Sequence, residues 1–173
     1  MNRSRRIAAL RELFSENYQG LLISDLKNIR YLCGYSGSCG TLLITRKEAI
    51  FFTDFRYQEQ SAAEIGDVAE IVIFKNNQIE LLKDRIKKAR IKALGVEKSL
   101  NIRQFLMFSE EFKKDLYPTE SLVEQLRQIK DADEVKSLQK AFAIADQAFA
   151  ELTRVIKPGM TENEVAAHLE FFM

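Results

Sequence analysis

Short, almost wholly apolar runs recur along the first 124 residues, each set off from the next by a turn or by a stretch with helical spacing, and after that point they stop. LLIS at 21–24, TLLIT at 41–45, AIFFT at 49–53, AEIVIF at 69–74 and residues 92–96 read as strands, rich in branched and aromatic side chains. Between and around them, Ile7, Leu10, Leu13 and Phe14 share a helical face ahead of Gly20, and residues 25–33 carry Leu26, Ile29, Tyr31 and Leu32 as a short helix. Arg56–Ile65, residues 79–90 (Ile79, Leu82, Ile86, Ala89) and residues 102–114 give three further helices. A sixth short strand is predicted at 121–123 (SLV), after Tyr117-Pro118. Strands joined through helices pair in parallel, whereas the polar turn TRKE between 41–45 and 49–53 makes those two an antiparallel hairpin. The expected fold is therefore α/β, a mixed sheet of about six strands covered by helices.

Near residue 125 the strand signal gives way to one long helical pattern beginning after Lys130. Val135, Leu138, Phe142, Ala145, Phe149, Leu152 and Ile156 recur by threes and fours, an apolar stripe that requires a substantial covering surface. Asp131 with Glu134 has the form of a capping box at its start, and Pro158-Gly159 ends it. Thr161 with Glu164 opens another helix, with Val165, Leu169 and Phe172 on one side, and the sequence stops inside it at Phe171-Phe172-Met173. The expected division is a domain over 1–124, then a linker and the first helices of a second, truncated domain over 125–173.

Composition excludes several classes. Lys plus Arg number 26 against 25 Asp plus Glu, so no global positive field exists to attract nucleic acid or an anionic membrane. No apolar run reaches the roughly 18 residues of a membrane-spanning helix, and the start MNRSRRIAALRELF lacks the apolar run of a signal peptide, which predicts a cytoplasmic protein. Cys33 and Cys39 lie in CGYSGSC, neither a CxxC redox pair nor part of a zinc knuckle, and are expected to be reduced thiols. His168 stands alone, while Asp25, Asp54 and Asp67 fall at separate loops or strand ends as solvated or capping groups. Neither a catalytic residue nor a metal ligand is assigned. GYSGSCG leads from a helical turn into a strand, the reverse of a dinucleotide fingerprint, and no Walker-type GK[ST] occurs. Its glycines serve either a tight connection or a close approach of backbone to ligand.

Three stretches together resemble one family: NIRYLCGYSG at 28–37, FFTDFRY at 51–57, and LRQIKDADEV at 126–135 with IKPGMTENEV at 156–165. In this order they are similar to the amino-terminal domain of Xaa-Pro peptidases (aminopeptidase P, prolidase and creatinase) and to the opening of the family's pita-bread catalytic domain. The resemblance implies a creatinase/prolidase-type amino-terminal domain in a metal-dependent exopeptidase that cleaves Xaa-Pro bonds. It implies, for the parent protein, a proline-containing peptide substrate and two divalent metal ions (manganese, cobalt or zinc) held beyond Met173, so that the 173-residue chain alone is inactive. It implies a homo-oligomer, dimer or higher, in which this domain assembles the enzyme and limits access to its site. Aminopeptidase, dipeptidase and creatinase-like activities remain open alternatives, as does a stand-alone binding or scaffold module of the same fold. A doubly wound small-molecule-binding domain is the third reading, which the missing phosphate motifs disfavour.

In some members of the family a residue of one protomer reaches its neighbour's active site, and Arg56 is the candidate here. A planar guanidinium leaving the strand at 49–53 can grip a substrate carboxylate in bidentate fashion, with Phe55 or Tyr57 as an apolar wall. The alternative is that Arg56 pairs with Asp54 or Glu59 and only caps the following helix. Arg127, Lys130 and Glu134 match the family's domain-opening motif and are expected at the domain junction, with solvated charges as the alternative.

Overall fold

The structure is a computed structural model that describes residues 3–173. These form two compact units, the first ending at Ile129 and the second comprising Lys130–Met173.

In the first unit, α1 (Arg3–Glu12) precedes β1 (Gly20–Ile23), α2 (Leu26–Cys33), β2 (Thr41–Thr45), β3 (Ala49–Asp54), α3 (Gln58–Ile65), β4 (Glu70–Phe74), α4 (Gln78–Lys88), β5 (Ala93–Glu97), α5 (Ile102–Phe112), β6 (Asp115–Thr119) and α6 (Leu122–Gln128). The strands form one mixed sheet in the order β4-β3-β2-β1-β5-β6. β1 pairs antiparallel with β2 and parallel with β5, β2 antiparallel with β3, and the β3–β4 and β5–β6 pairs are parallel. Only β2 therefore runs against the common direction. The hairpin register pairs Leu42 with Phe51 and Leu43 with Ile50, and the Thr45 N–H donates to the Glu48 carbonyl at 2.9 Å to close the tight turn.

The central strands are buried at nearly every position because both faces of the sheet are covered. Successive side chains alternate sides. Leu21, Ile23, Leu42, Ile44 and Phe51 point into a core shared with Ile7, Leu10, Ile29, Leu32, Ile65 and Val123 from α1, α2, α3 and α6. Leu22, Leu43, Ile50, Phe52, Leu94 and Val96 point into a second core closed by Leu82 and Ile86 of α4 and Phe108 and Phe112 of α5.

The predicted strand at 121–123 is not a strand. The chain pairs instead over Asp115–Thr119, with Pro118 opposite Val96, and Leu122 and Val123 open α6. Proline lacks an N–H to give a ladder, and is tolerated here because β6 is an edge strand. The loop after α2 needs glycine in two ways. Gly34 ends the helix in the left-handed region at φ 88°, its N–H donating to the Arg30 carbonyl, whereas a Cβ on Gly37 would overlap the Tyr35 phenol.

In the second unit, α7 (Ala132–Val155) and α8 (Glu162–Phe172) pack together. Both begin with a complete capping box, Asp131 with Glu134 and Thr161 with Glu164. Of the α7 stripe, Leu152 is buried, as is Ala148 beside it, while Phe142 and Phe149 are more than 60% exposed.

Phe51 is fully buried, its ring centroid 4.5 Å from that of Tyr35. Truncating it in Phe51→Ala should cost about 3–5 kcal/mol, read from urea unfolding. A loss below about 1 kcal/mol would contradict this packing.

Candidate functional site at the carboxyl edge of the sheet

With five strands sharing one direction, the carboxyl ends of β1, β3, β4, β5 and β6 line one edge of the sheet, and the 34–40 loop enters reversed β2 at that same edge. Such edges are where α/β sheets present ligand-contacting loops. Two polar constellations occupy it.

The first is the turn Asp54-Phe55-Arg56-Tyr57 at the end of β3. Asp54 accepts the Arg56 backbone N–H at 2.9 Å, so it caps its own turn. The same carboxylate takes the Arg56 guanidinium in two-pronged fashion, Nε to Oδ1 at 3.0 Å and Nη2 to Oδ2 at 2.8 Å. These contacts from Arg56 hold the Asp54 carboxyl down at about 2. Asp54's side chain is 9% exposed and that of Arg56 64%, so a nearly buried anion aims an exposed cation. Of the guanidinium's five N–H donors, two serve Asp54, which leaves three turned elsewhere. Phe55 is 60% exposed beside it, and the Arg56 guanidinium carbon lies 5.5 Å from the Tyr57 ring centre.

The 34–40 loop braces this turn. The Tyr57 and Ser38 hydroxyls share a hydrogen bond at 2.6 Å, and the Cys39 carbonyl accepts from Tyr35 Oη at 2.8 Å and Thr53 Oγ1 at 2.6 Å. Glu64 of α3 accepts from both the backbone N–H (2.7 Å) and the hydroxyl (2.6 Å) of Ser36, which lowers its carboxyl pKa. The loop glycines thus accommodate the chain's own tyrosine. Cys33 and Cys39 are both free thiols, and burial pushes Cys33 up to about 11, far from a reactive thiolate.

The second constellation was not picked out by residue type. Glu97, at the end of β5, is 7% exposed and accepts three hydrogen bonds: from the backbone N–H groups of Ser24 (2.7 Å) and Asp25 (2.8 Å) and from Asn28 Nδ2 (2.7 Å). Burial raises its carboxyl pKa despite these donors. Asn28, fully buried, gives its other amide hydrogen to Glu124 Oε1 at 2.7 Å and accepts from Arg127 Nη1 on its oxygen at 2.8 Å. One amide therefore joins β5, α2 and α6. Asp25 is the N-cap of α2, accepting from the backbone of Lys27 and Asn28. Only NIRYLCGYSG, taken as a motif, carried any signal for Asn28; Glu97 sat unremarked after an apolar run.

Of the residues expected at the junction, Arg127 lies in the first unit on the Asn28 amide, whereas Lys130 and Glu134 belong to the second, where Glu134 Oε2 accepts the Asp131 N–H at 3.0 Å to complete the α7 capping box. Among the described residues no three His, Cys, Asp or Glu side chains converge to hold a metal ion. Two-metal hydrolysis needs several carboxylates converging on a pair of ions, and the described residues bring no such set together. No helix among the described residues is long and apolar enough to cross a membrane.

Fold and edge together define a creatinase/prolidase-like α/β domain with a helical continuation. Residues 6–129 match the Creatinase/Prolidase N-terminal domain, and residues 136–173 match Metallopeptidase family M24. The uncharacterized peptidase YqhT of Bacillus subtilis is 36% identical over 171 residues, 97% of this chain and 48% of the relative. The Xaa-Pro dipeptidase from Bacillus anthracis superposes with a TM-score of 0.94 at 36% identity, covering 99% of this chain and 48% of that one. The N-terminal domain of cytoplasmic peptidase PepQ from Mycobacterium tuberculosis superposes at 0.62 with 29% identity, over 71% of this chain and 98% of that one. The chain belongs to the creatinase/prolidase family of Xaa-Pro peptidases. It spans about half the length of the relatives it matches.

Two measurements probe the edge. In Asn28→Asp a third carboxylate faces Glu97 and Glu124, and stability at pH 7.5 should fall by about 2–4 kcal/mol. Since a protonated carboxyl can donate again, the deficit should shrink toward pH 5; a deficit independent of pH would contradict the network. For Asp54, whose folded pKa is depressed, the linked stability is present above the unfolded value near 3.8 and is lost as pH falls toward about 2. A carboxyl NMR titration should place its midpoint near 2, and Arg56→Ala should return it toward 3.8.

Proposed function

We propose that this chain supplies the amino-terminal part of a metal-dependent Xaa-Pro peptidase, with the 54–57 turn presented to a peptide bound in the active site of a neighbouring protomer. The consecutive match of both family parts along one chain carries this reading. The relative named Xaa-Pro dipeptidase supports a proline-containing substrate. The edge chemistry supports a recognition role. Arg56 is oriented by Asp54 yet keeps donors for a second acceptor, and exposed Phe55 offers an apolar surface beside it. A peptide carboxylate next to a proline ring has this combination of charge and apolar area.

In the parent protein, two divalent ions held outside this chain's residues would supply an activated water for amide hydrolysis. This chain's residues bind and orient, and the chain alone is inactive. The domain assignment follows: residues 1–124 as the accessory domain that assembles a dimer or larger oligomer and restricts access, and residues 125–173 as linker and first helices of the catalytic domain. Arg127, Lys130 and Glu134 lie where the chain passes from one to the other. A cytoplasmic location accords with the unpaired thiols and with the name of the mycobacterial relative.

The test is steady-state kinetics on an Xaa-Pro dipeptide with the longer protein spanning both halves. Arg56→Ala should raise KM about tenfold, roughly 1.4 kcal/mol of lost binding, with little change in kcat. Unchanged kinetics would remove Arg56 from substrate recognition, and absence of Xaa-Pro hydrolysis in the metal-supplied wild type would remove the peptidase reading itself.

A further inference from the structure

We propose that the first unit carries a binding site for a small amphiphilic carboxylate, at the edge of the sheet opposite the Arg56 turn. A cavity of about 510 Å³ opens there between the end of α4, the α4–β5 connection and the end of α5, within the range of ligand pockets. Its floor is apolar, made by the buried side chains of Ile86, Ile91 and Phe112. Its rim is basic: Lys83, Lys87, Arg90, Lys92 and Lys114 line it with no acidic residue among them. That concentration stands out in a chain whose 26 basic and 25 acidic residues nearly cancel.

The rim cations are not used up inside the fold. Lys83 pairs with Glu111 at 2.8 Å, but Lys87, Arg90, Lys92 and Lys114 make no ion pair among the described residues. Neighbouring pairs, Lys88 with Asp84 and Arg85 with Glu70, show that carboxylates are available on α4 and β4 and are spent on other cations. A helix dipole attracts cations to its last turn, which accounts for Lys87 in α4. It does not account for Lys92, four residues beyond the helix end.

The backbone gives a second, independent sign. Arg90 at φ 53° and Lys113 at φ 50° both sit in the left-handed region just after α4 and α5, where glycine is the ordinary occupant. Of the two, Arg90 lines the cavity, and Lys113 lies between its lining residues Phe112 and Lys114. A ring of cations around an apolar floor fits one chemistry: a single anionic head held at the rim, with an aliphatic body of medium length seated on Ile86, Ile91 and Phe112.

The experiment titrates octanoate into the chain by calorimetry at low salt, with amide chemical shifts recorded in parallel and 1-octanol as the uncharged control. Saturable one-to-one binding is expected, with shifts gathered at Ile86, Arg90, Ile91 and Phe112, and octanol weaker by at least about tenfold. The double reversal Arg90→Glu with Lys114→Glu should weaken octanoate on the order of tenfold or more, and raised salt should do the same to the wild type. Should that variant unfold, Lys87→Glu, exposed on α4, should weaken binding severalfold with an unchanged thermal midpoint. Equal binding of octanol and octanoate, shifts confined to the exposed apolar face of α7, wild-type affinity in the charge-reversed variants, or no saturation would each overturn the site.

Discussion

A buried carboxylate at the end of β5 sets the polarity of one side of the molecule. Glu97 can only accept when ionised, and its three donors are fixed by that fact: two backbone N–H groups at the β1–α2 turn and one side-chain amide. Because the Asn28 nitrogen faces Glu97, its oxygen must face a donor, and Arg127 provides it. The direction of every bond from β5 to α6 follows from one charge. Such a relay has no neutral fallback: turning any member around sets donor against donor or acceptor against acceptor.

The same logic, with exposure reversed, operates at the end of β3. Asp54 is nearly buried and Arg56 is not, so the pair acts as a mount and not as a mutual neutralisation in the core. With its cation in solvent, such a pair contributes only modestly to stability. What it contributes is direction, since the Nε and Nη2 edge is occupied and the guanidinium plane is fixed relative to the sheet.

The sequence made the layered sheet legible because strands buried on both faces leave uninterrupted apolar runs, as in LLI, TLLIT and AIFFT, and because the covering helices keep their spacing. It misled at Asp115–Thr119, where DLYPT has a proline and three exposed positions; an edge strand covered on one side only has no apolar run to betray it. Phe55, Arg56 and Tyr57 were reached through the TDFRY stretch, and the local pairing of Arg56 with Asp54 was among the alternatives spacing allows, since a side chain two residues back at a turn lies within reach. Glu97 was not legible. Its role depends on backbone groups more than 70 positions away, and no local pattern encodes an acceptor for distant N–H groups.

The single reversed strand has an effect on how this fold can vary. With β2 running backward, the connection to β3 shrinks to a turn at the far edge, closed by the Thr45 and Glu48 backbone, and that turn together with the β1 ladder pins the pairing of Leu42 with Phe51. The longer 34–40 loop is relieved of any duty in setting register. Descendants of such a sequence that keep Gly34, Tyr35 and Gly37 are therefore at liberty to vary the rest of the loop beside Arg56 without shifting a strand, so novelty at this edge and constancy in the sheet can evolve on separate clocks.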